Sequence, residues 1–234
     1  MTSAGLTCRA LGFRHRNADG APKPVLASIN AHFAAGEVAW ISGPTGAGKS
    51  TLLHLLAGLR RPSEGEILAD DQPVSRWLAA HRDRWRRHLG IIFQQDHLVA
   101  GLSILENVML PLIPRSTDLR ALRARARETL QAVDLEDGAA RRPAELSGGE
   151  RQRAAAARAL VAAPRFLLVD EPFAHQDDAH ARDLLDLLYA RARQGATVII
   201  AAHAANRPMS GADDRHWRLA GGGLEETACP STPC

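Results

Sequence analysis

Val38-Ala39-Trp40-Ile41 runs into Gly43-Pro44-Thr45-Gly46-Ala47-Gly48-Lys49-Ser50, and Leu52, Leu53, Leu55, Leu56 and Leu59 follow at a helical spacing. An apolar strand, a glycine-rich turn and an amphipathic helix in that order form a phosphate-binding arrangement. The glycines let the backbone curl until its N–H groups face phosphate oxygens, and the helix N-terminus adds partial positive charge. In the spacing G-x-x-x-x-G-K-[ST], Lys49 reaches the β- and γ-phosphates of a nucleoside triphosphate and Ser50 ligates Mg²⁺. Gly43, Pro44, Thr45, Gly46, Ala47, Gly48, Lys49, Ser50 and Thr51 are therefore the expected nucleotide contacts.

A second anchor lies far along the chain. Phe166-Leu167-Leu168-Val169 is an apolar strand that ends in two adjacent carboxylates, Asp170 and Glu171. Two acids at one strand end repel each other unless a positive group sits between them. Asp170 suits the Mg²⁺ shell, and Glu171 suits polarising the water that attacks the γ-phosphate.

Around these anchors the pattern is α/β. Leu6–Phe13, Val25–Phe33, Glu37–Ser42, Gly65–Ala69 and Leu89–Phe93 read as strands, with a polar, arginine-rich helix around Ser75–Arg87. From Ser103 the chain turns helical: Ser103 with Glu106 and Ser147 with Glu150 match the capping box of a helix start. The expected helices are Ile104–Leu112, Asp118–Val133 and Glu150–Ala162. Strands return at Phe166–Val169 and Thr197–Ala201 around a helix near Ala179–Gln194, as in a buried parallel sheet. The expectation is one domain over residues 1–234: an α/β core from 1–94 and 164–225, a helical insertion at 95–163, and a disordered tail at 226–234.

Composition bounds the rest. With 234 residues, 45% hydrophobic and 24% charged, the chain is long enough for a sizeable core and is no disordered tail. Its longest nearly uncharged apolar stretches, such as Ala196–Ala205, fall short of the ~20 residues of a membrane span. The start, Met1–Leu6, lacks the basic and apolar regions of a secretory signal. Cys8, Cys229 and Cys234 have no zinc-ligand spacing and suit a reducing compartment. Net charge is +3, and of 29 basic residues only Lys23 and Lys49 are lysine. Arginine clusters at 82–87 and 120–127 then read as solvated helix faces. With aromatics at 4% and none interleaved for base stacking, no nucleic-acid partner is expected.

Leu146-Ser147-Gly148-Gly149-Glu150-Arg151-Gln152-Arg153 decides between the remaining classes. This stretch resembles the signature motif of ATP-binding cassette (ABC) ATPases, and its distance from the acid pair is typical of them. The resemblance spans about residues 6–224. It implies a P-loop NTPase fold with an N-terminal β-subdomain and an inserted α-helical subdomain, with ATP and Mg²⁺ as cofactors. It also implies a second copy whose Ser147, Gly148 and Gly149 meet the γ-phosphate held by the first. Gln94 matches the Q-loop glutamine, linking Mg²⁺ and water to the helical insertion, and His203 matches the switch histidine. His15 falls where the family stacks an aromatic on adenine; Phe13 is the other candidate, as platform or as core. Catalysis by Lys49, Gln94, Glu171 and His203 and metal contact by Ser50, Gln94 and Asp170 are the implied roles.

Two departures stand out: Ala174-His175-Gln176-Asp177 replaces the family's usual D-loop, and Ala204 follows the switch histidine where an acid is common. Gly90–Leu98 and Leu105–Leu112 resemble the group that holds lipoprotein-releasing and macrolide-export ATPases and the cell-division ATPase FtsE. Separately encoded transmembrane subunits, and a place on the cytoplasmic face of the inner membrane, are what that group implies. An FtsE-like ATPase gating a cell-wall or division complex is the alternative, and a soluble ABC ATPase without a transport role is a third.

Overall fold

Runs of branched and aromatic residues build the centre of the molecule, because strands covered on both faces have little place for a charge except at their ends. In a computed structural model that describes residues 4–16, 22–74, 85–173, 178–203, 211 and 213–228, these runs are β3 (Val38–Ser42), β7 (Phe166–Asp170) and β8 (Thr197–Ala201). Every residue of β7 and β8 is buried. Together with β6 (Leu89–Ile92), β9 (Arg215–Ala220) and β10 (Gly223–Thr227) they form a six-stranded sheet in the order β10-β9-β3-β8-β7-β6. All neighbours are parallel except the edge pair β9 and β10.

A second, antiparallel sheet has the order β2-β1-β4-β5, from β1 (Gly5–Arg16), β2 (Pro22–Ala34), β4 (Glu64–Ala69) and β5 (Gln72–Pro73). The β1–β2 register is irregular after Cys8, Leu11 and Phe13, which breaks the two-residue alternation of inward and outward side chains along β1. Leu11 is fully buried, Phe13 half-buried and His15 exposed. Helix α1 (Lys49–Leu56) lies between the sheets and buries Leu52, Leu53, Leu55 and Leu56 in a core shared with Phe33, Ile67 and Phe166.

The insertion carries a core of its own. Helices α2 (Ile104–Met109), α3 (Leu119–Ala132) and α4 (Gly148–Leu160) enclose Ile104, Val108, Leu122, Ala126 and Leu130. Alanine lets α4 pack closely on both sides: Ala154 and Ala157 face this cluster, while Ala156 and Ala159 face the sheet and α5 (Asp178–Arg193). Both expected capping boxes are present, at Ser103/Glu106 and Ser147/Glu150. Asp118 caps α3 by accepting the amides of Arg120 and Ala121. Among the described residues no helix is long and apolar enough to cross a membrane.

The C-terminal end differs from the expectation. Glu226 and Thr227, assigned to a disordered tail, are the last residues of β10, and Arg215 donates to Glu226 at 2.7 Å across the hairpin. Most of the arginine-rich helix expected at Ser75–Arg87 lies outside the described residues, as do the D-loop residues 174–177, Ala204, Cys229 and Cys234.

Candidate nucleotide site

Four adjacent parallel strands deliver the site from their carboxyl ends, the edge at which open α/β sheets bind ligands. Strand β3 leads into the glycine loop, β8 into His203, β7 into Asp170 and Glu171, and β6 into Gln94. The cleft above them holds about 690 Å³ and is lined by Thr45–Thr51, Gln94, Glu171 and His203, with His15 on its far wall.

The loop's shape depends on glycine at two positions. Gly43 has φ of 158°, and a Cβ there would stand 2.3 Å from the Leu219 carbonyl oxygen on β9. Gly48 has φ of 104°, with Val25 and Leu26 side chains 3.0 Å from where a Cβ would be. It caps α1 in the left-handed region with no side-chain bond to the first-turn amides, and left-handed backbone is where glycine alone is at ease.

Lys49 is buried and its ammonium donates to the carbonyls of Gly43 at 2.9 Å and Pro44 at 3.3 Å. Its third direction is toward Glu171 Oε1, 3.7 Å away. The same carboxylate oxygen lies 3.5 Å from His203 Nε2, which is also 3.4 Å from Thr45 Oγ1. One oxygen thus faces both a lysine and a histidine, held by a residue whose own backbone is left-handed (φ 48°) and whose amide donates to the Ala201 carbonyl at 2.8 Å. Asp170 lies below, 5% exposed. Burial pushes its carboxyl pKa up, opposed by a hydrogen bond with Ser50, and its Oδ1 has no hydrogen-bond partner. His54 of α1 stands near this acid; burial, with Arg60 nearby, lowers its pKa.

Ser147, Gly148 and Gly149 do not line the cleft. They form the start of α4, with Ser147 and Gly148 exposed and Gly149 half-buried, where Ser147 Oγ accepts the Glu150 amide at 3.2 Å and Glu150 Oε2 accepts the Ser147 amide at 2.7 Å. A Cβ on Gly148 would meet no atom closer than 4.0 Å. Phe13 packs on the core beneath the antiparallel sheet with the Arg60 guanidinium 5.6 Å from its ring centre, and does not line the cleft. The far wall is more than His15: Lys23, Pro24, Val25 and the β9–β10 turn at Gly221 and Gly222 complete it. Lys23 was legible only through its rarity, since the chain's single other lysine is Lys49.

A phosphate loop on β3 with an acid pair and a histidine on neighbouring strand ends defines a P-loop nucleoside triphosphatase, and a helical insertion between β6 and β7 narrows it to the cassette type. The ABC transporter family pattern matches residues 26–174. The chain is 42% identical over 206 residues to the lipoprotein-releasing system ATP-binding protein LolD of Chromohalobacter salexigens, covering 87% of this chain and 86% of that protein. It is 38% identical over 205 residues to the LolD of Idiomarina loihiensis, covering 87% and 90%. Its fold matches the dimeric structure of the bacterial ABC transporter cassette MJ0796 with a TM-score of 0.88 at 31% identity, over 94% of this chain and 96% of that one. The post-hydrolysis dimer of MJ0796, bound to ADP and Pi, matches with a TM-score of 0.87 at 31% identity, over 94% and 98%. This chain belongs to the ABC transporter family. It is an ATP-hydrolysing subunit of an ABC-type complex.

Proposed function

We propose that the chain hydrolyses ATP in two clefts shared between head-to-tail copies, and so drives a lipoprotein-releasing membrane complex from the cytoplasmic face. The observation that carries the chemistry is Glu171 Oε1, set between Lys49 Nζ at 3.7 Å and His203 Nε2 at 3.5 Å on the cleft wall. The kinship to LolD proteins supports the cargo class, and the dimeric MJ0796 cassettes support the pairing.

The residues present fit Mg²⁺. A buried carboxylate oxygen without a partner beside a serine hydroxyl is a hard-oxygen socket for a small divalent cation. Asp170 and Ser50 would hold the ion, with Gln94 reaching it from β6. Bound there, it neutralises charge on the β- and γ-phosphates.

Lys49 exchanges the Gly43 and Pro44 carbonyls for phosphate oxygens, to which an ammonium is drawn more strongly. The loop amides of Gly46–Thr51 cradle the same group. Glu171 orients a water and takes its proton on Oε1 as the oxygen attacks phosphorus, while His203 donates toward the γ-phosphate. His15 offers its ring to the adenine. Ser147 of the second copy closes the site from outside: its hydroxyl accepts the Glu150 amide and lies beside the Glu150 carboxylate, and its hydrogen turns from that carboxylate to the γ-phosphate when the copies meet.

Reconstitution tests the whole reading. In proteoliposomes with lipoprotein-releasing transmembrane subunits, the chain should hydrolyse ATP and release an acylated protein to a soluble acceptor. Hydrolysis without release would remove the cargo and leave the FtsE-like alternative; failure to assemble with any such subunit would remove the transport role.

A further inference from the structure

Between Gln94 on the cleft and Ser103 at the start of α2, residues 95–102 form neither helix nor strand. The segment is nonetheless held from two sides. From α2, the fully buried Asn107 accepts the Val99 amide at 2.7 Å and donates to the carbonyls of Val99 at 3.1 Å and Ser103 at 3.0 Å. From α4, Arg158 donates to the carbonyls of Asp96 and His97, each at 2.7 Å. Arg151 adds an ion pair with the Asp96 carboxylate at 3.0 Å while it donates to the Leu146 carbonyl at 2.7 Å.

His97 has φ of 46°. A residue with a side chain keeps that conformation only where its surroundings impose it, and the Arg158 fork supplies such a hold. Ser147, Arg151 and Arg158 follow each other at spacings of four and seven residues, so they share one face of α4. One face of a helix therefore presents Ser147 at its tip and grips the 96–97 turn at two points further along. Gln94 stands two residues before that turn, and Val99, 45% exposed, three residues after Asp96.

We propose that Arg158 is a positioning residue for ATP hydrolysis. By clamping Asp96 and His97 to α4, it makes Gln94, the exposed corner at Val99 and the Ser147–Gly149 helix start move as one body. It touches no nucleotide itself. A displacement at the Val99 corner then reaches both the Gln94 side of one cleft and the Ser147 side of the other. Lysine is no equivalent, because the planar guanidinium spans two carbonyls where an ammonium on a flexible stem satisfies one at fixed geometry. The effect on turnover rests on the shared-site reading above; the clamp does not.

The test uses the full chain with Arg158→Gln and Arg158→Lys, with Lys49→Ala as the control for turnover. Amide exchange at Leu98 and Val99, ATP turnover and the affinity for a fluorescent ATP analogue are measured together. In Arg158→Gln, exchange at both amides should rise roughly tenfold or more, since the loss of even one charge-assisted bond is worth about that factor. Its kcat should fall about tenfold or more through misplacement of Gln94 and Ser147, with KM and analogue affinity within about twofold of the parent. Arg158→Lys should recover part of both losses, and it carries the same comparison if Arg158→Gln does not fold. Unchanged exchange in a folded variant would overturn the clamp, and faster exchange with unchanged kcat would overturn the positioning role. If parent turnover were insensitive to Lys49→Ala, the reading of this cleft as the hydrolytic site would fail, and the exchange data would still decide the clamp.

Discussion

Helices α1 and α4 both begin beside a glycine, and they solve the problem of their free amides in opposite ways. At α1 the cap is Gly48, left-handed and without a side-chain bond to the first turn; at α4 it is Ser147, locked with Glu150 in a reciprocal capping box. The first start lies on the cleft wall beside Lys49, and the second is exposed. An uncapped helix start keeps its donors for a phosphate, whereas a self-capped one is stable alone and offers only what the cap leaves over. On the proposed function the two ends are unequal halves of one site: α1 binds, and α4 of the second copy approaches an anion that is already bound.

The most severe way to break the comparison is at α1. Lys49→Ala should lower ATP turnover by roughly 10²-fold or more, the loss typical of one preorganised donor at a site of developing charge. Steady-state hydrolysis by the purified variant checks it, with circular dichroism to show that the fold persists. Glycine-to-alanine changes sharpen the contrast further. Gly48→Ala forces a left-handed Cβ to within 3.0 Å of Val25 and Leu26 and should cost on the order of 1–3 kcal/mol of stability. Gly148→Ala meets open space and should leave thermal stability level or slightly raised, yet lower turnover by crowding the approach of the second copy. Thermal melts and ATPase rates of the two variants, side by side, separate strain from access.

Legibility followed the same division. The phosphate loop, the acid pair and both capping boxes are local patterns, in which residue type and spacing already contain the physical requirement. Strands β9 and β10 are not local. Arg215-His216-Trp217-Arg218 carries charge where a strand pattern would alternate, and it is extended because it pairs with β3 and because Arg215 meets Glu226 across the hairpin. Gly221 reaches the cleft only through that tertiary pairing, and Lys23 reaches it because β2 pairs with β1 beside His15, so the sequence marked Lys23 by its rarity and not by its place. Asn107 and Arg158 look like ordinary helix residues until the irregular segment they hold is seen beside them.

The smallest expected effect concerns acid. The Ser147 amide and hydroxyl and the Arg141 guanidinium beside it hold the Glu150 carboxyl down from 4.5 to about 2. A carboxylate whose folded pKa is depressed contributes its stability above the ordinary value and loses it as pH falls toward the lowered one. The capping box of α4 should therefore be fully present at neutral pH and fade between about 4.5 and 2, modestly, because the group is exposed and screened. Melting temperatures of the parent and Glu150→Gln across that range should converge as the pH drops. Helix α1 carries no acidic residue in its first turn and has no equivalent loss.

The most direct test of two unequal halves meeting on one nucleotide is Glu171→Gln, which keeps the shape of the Lys49–Glu171–His203 contact and removes its negative charge. With Mg·ATP the variant should bind nucleotide without turning it over and elute as a dimer, resolved by light scattering. The dimer should be absent with ADP and absent again when Ser147→Arg is added. A Glu171→Gln chain that stays monomeric at saturating ATP, or one that hydrolyses ATP at the parent rate, would contradict the account.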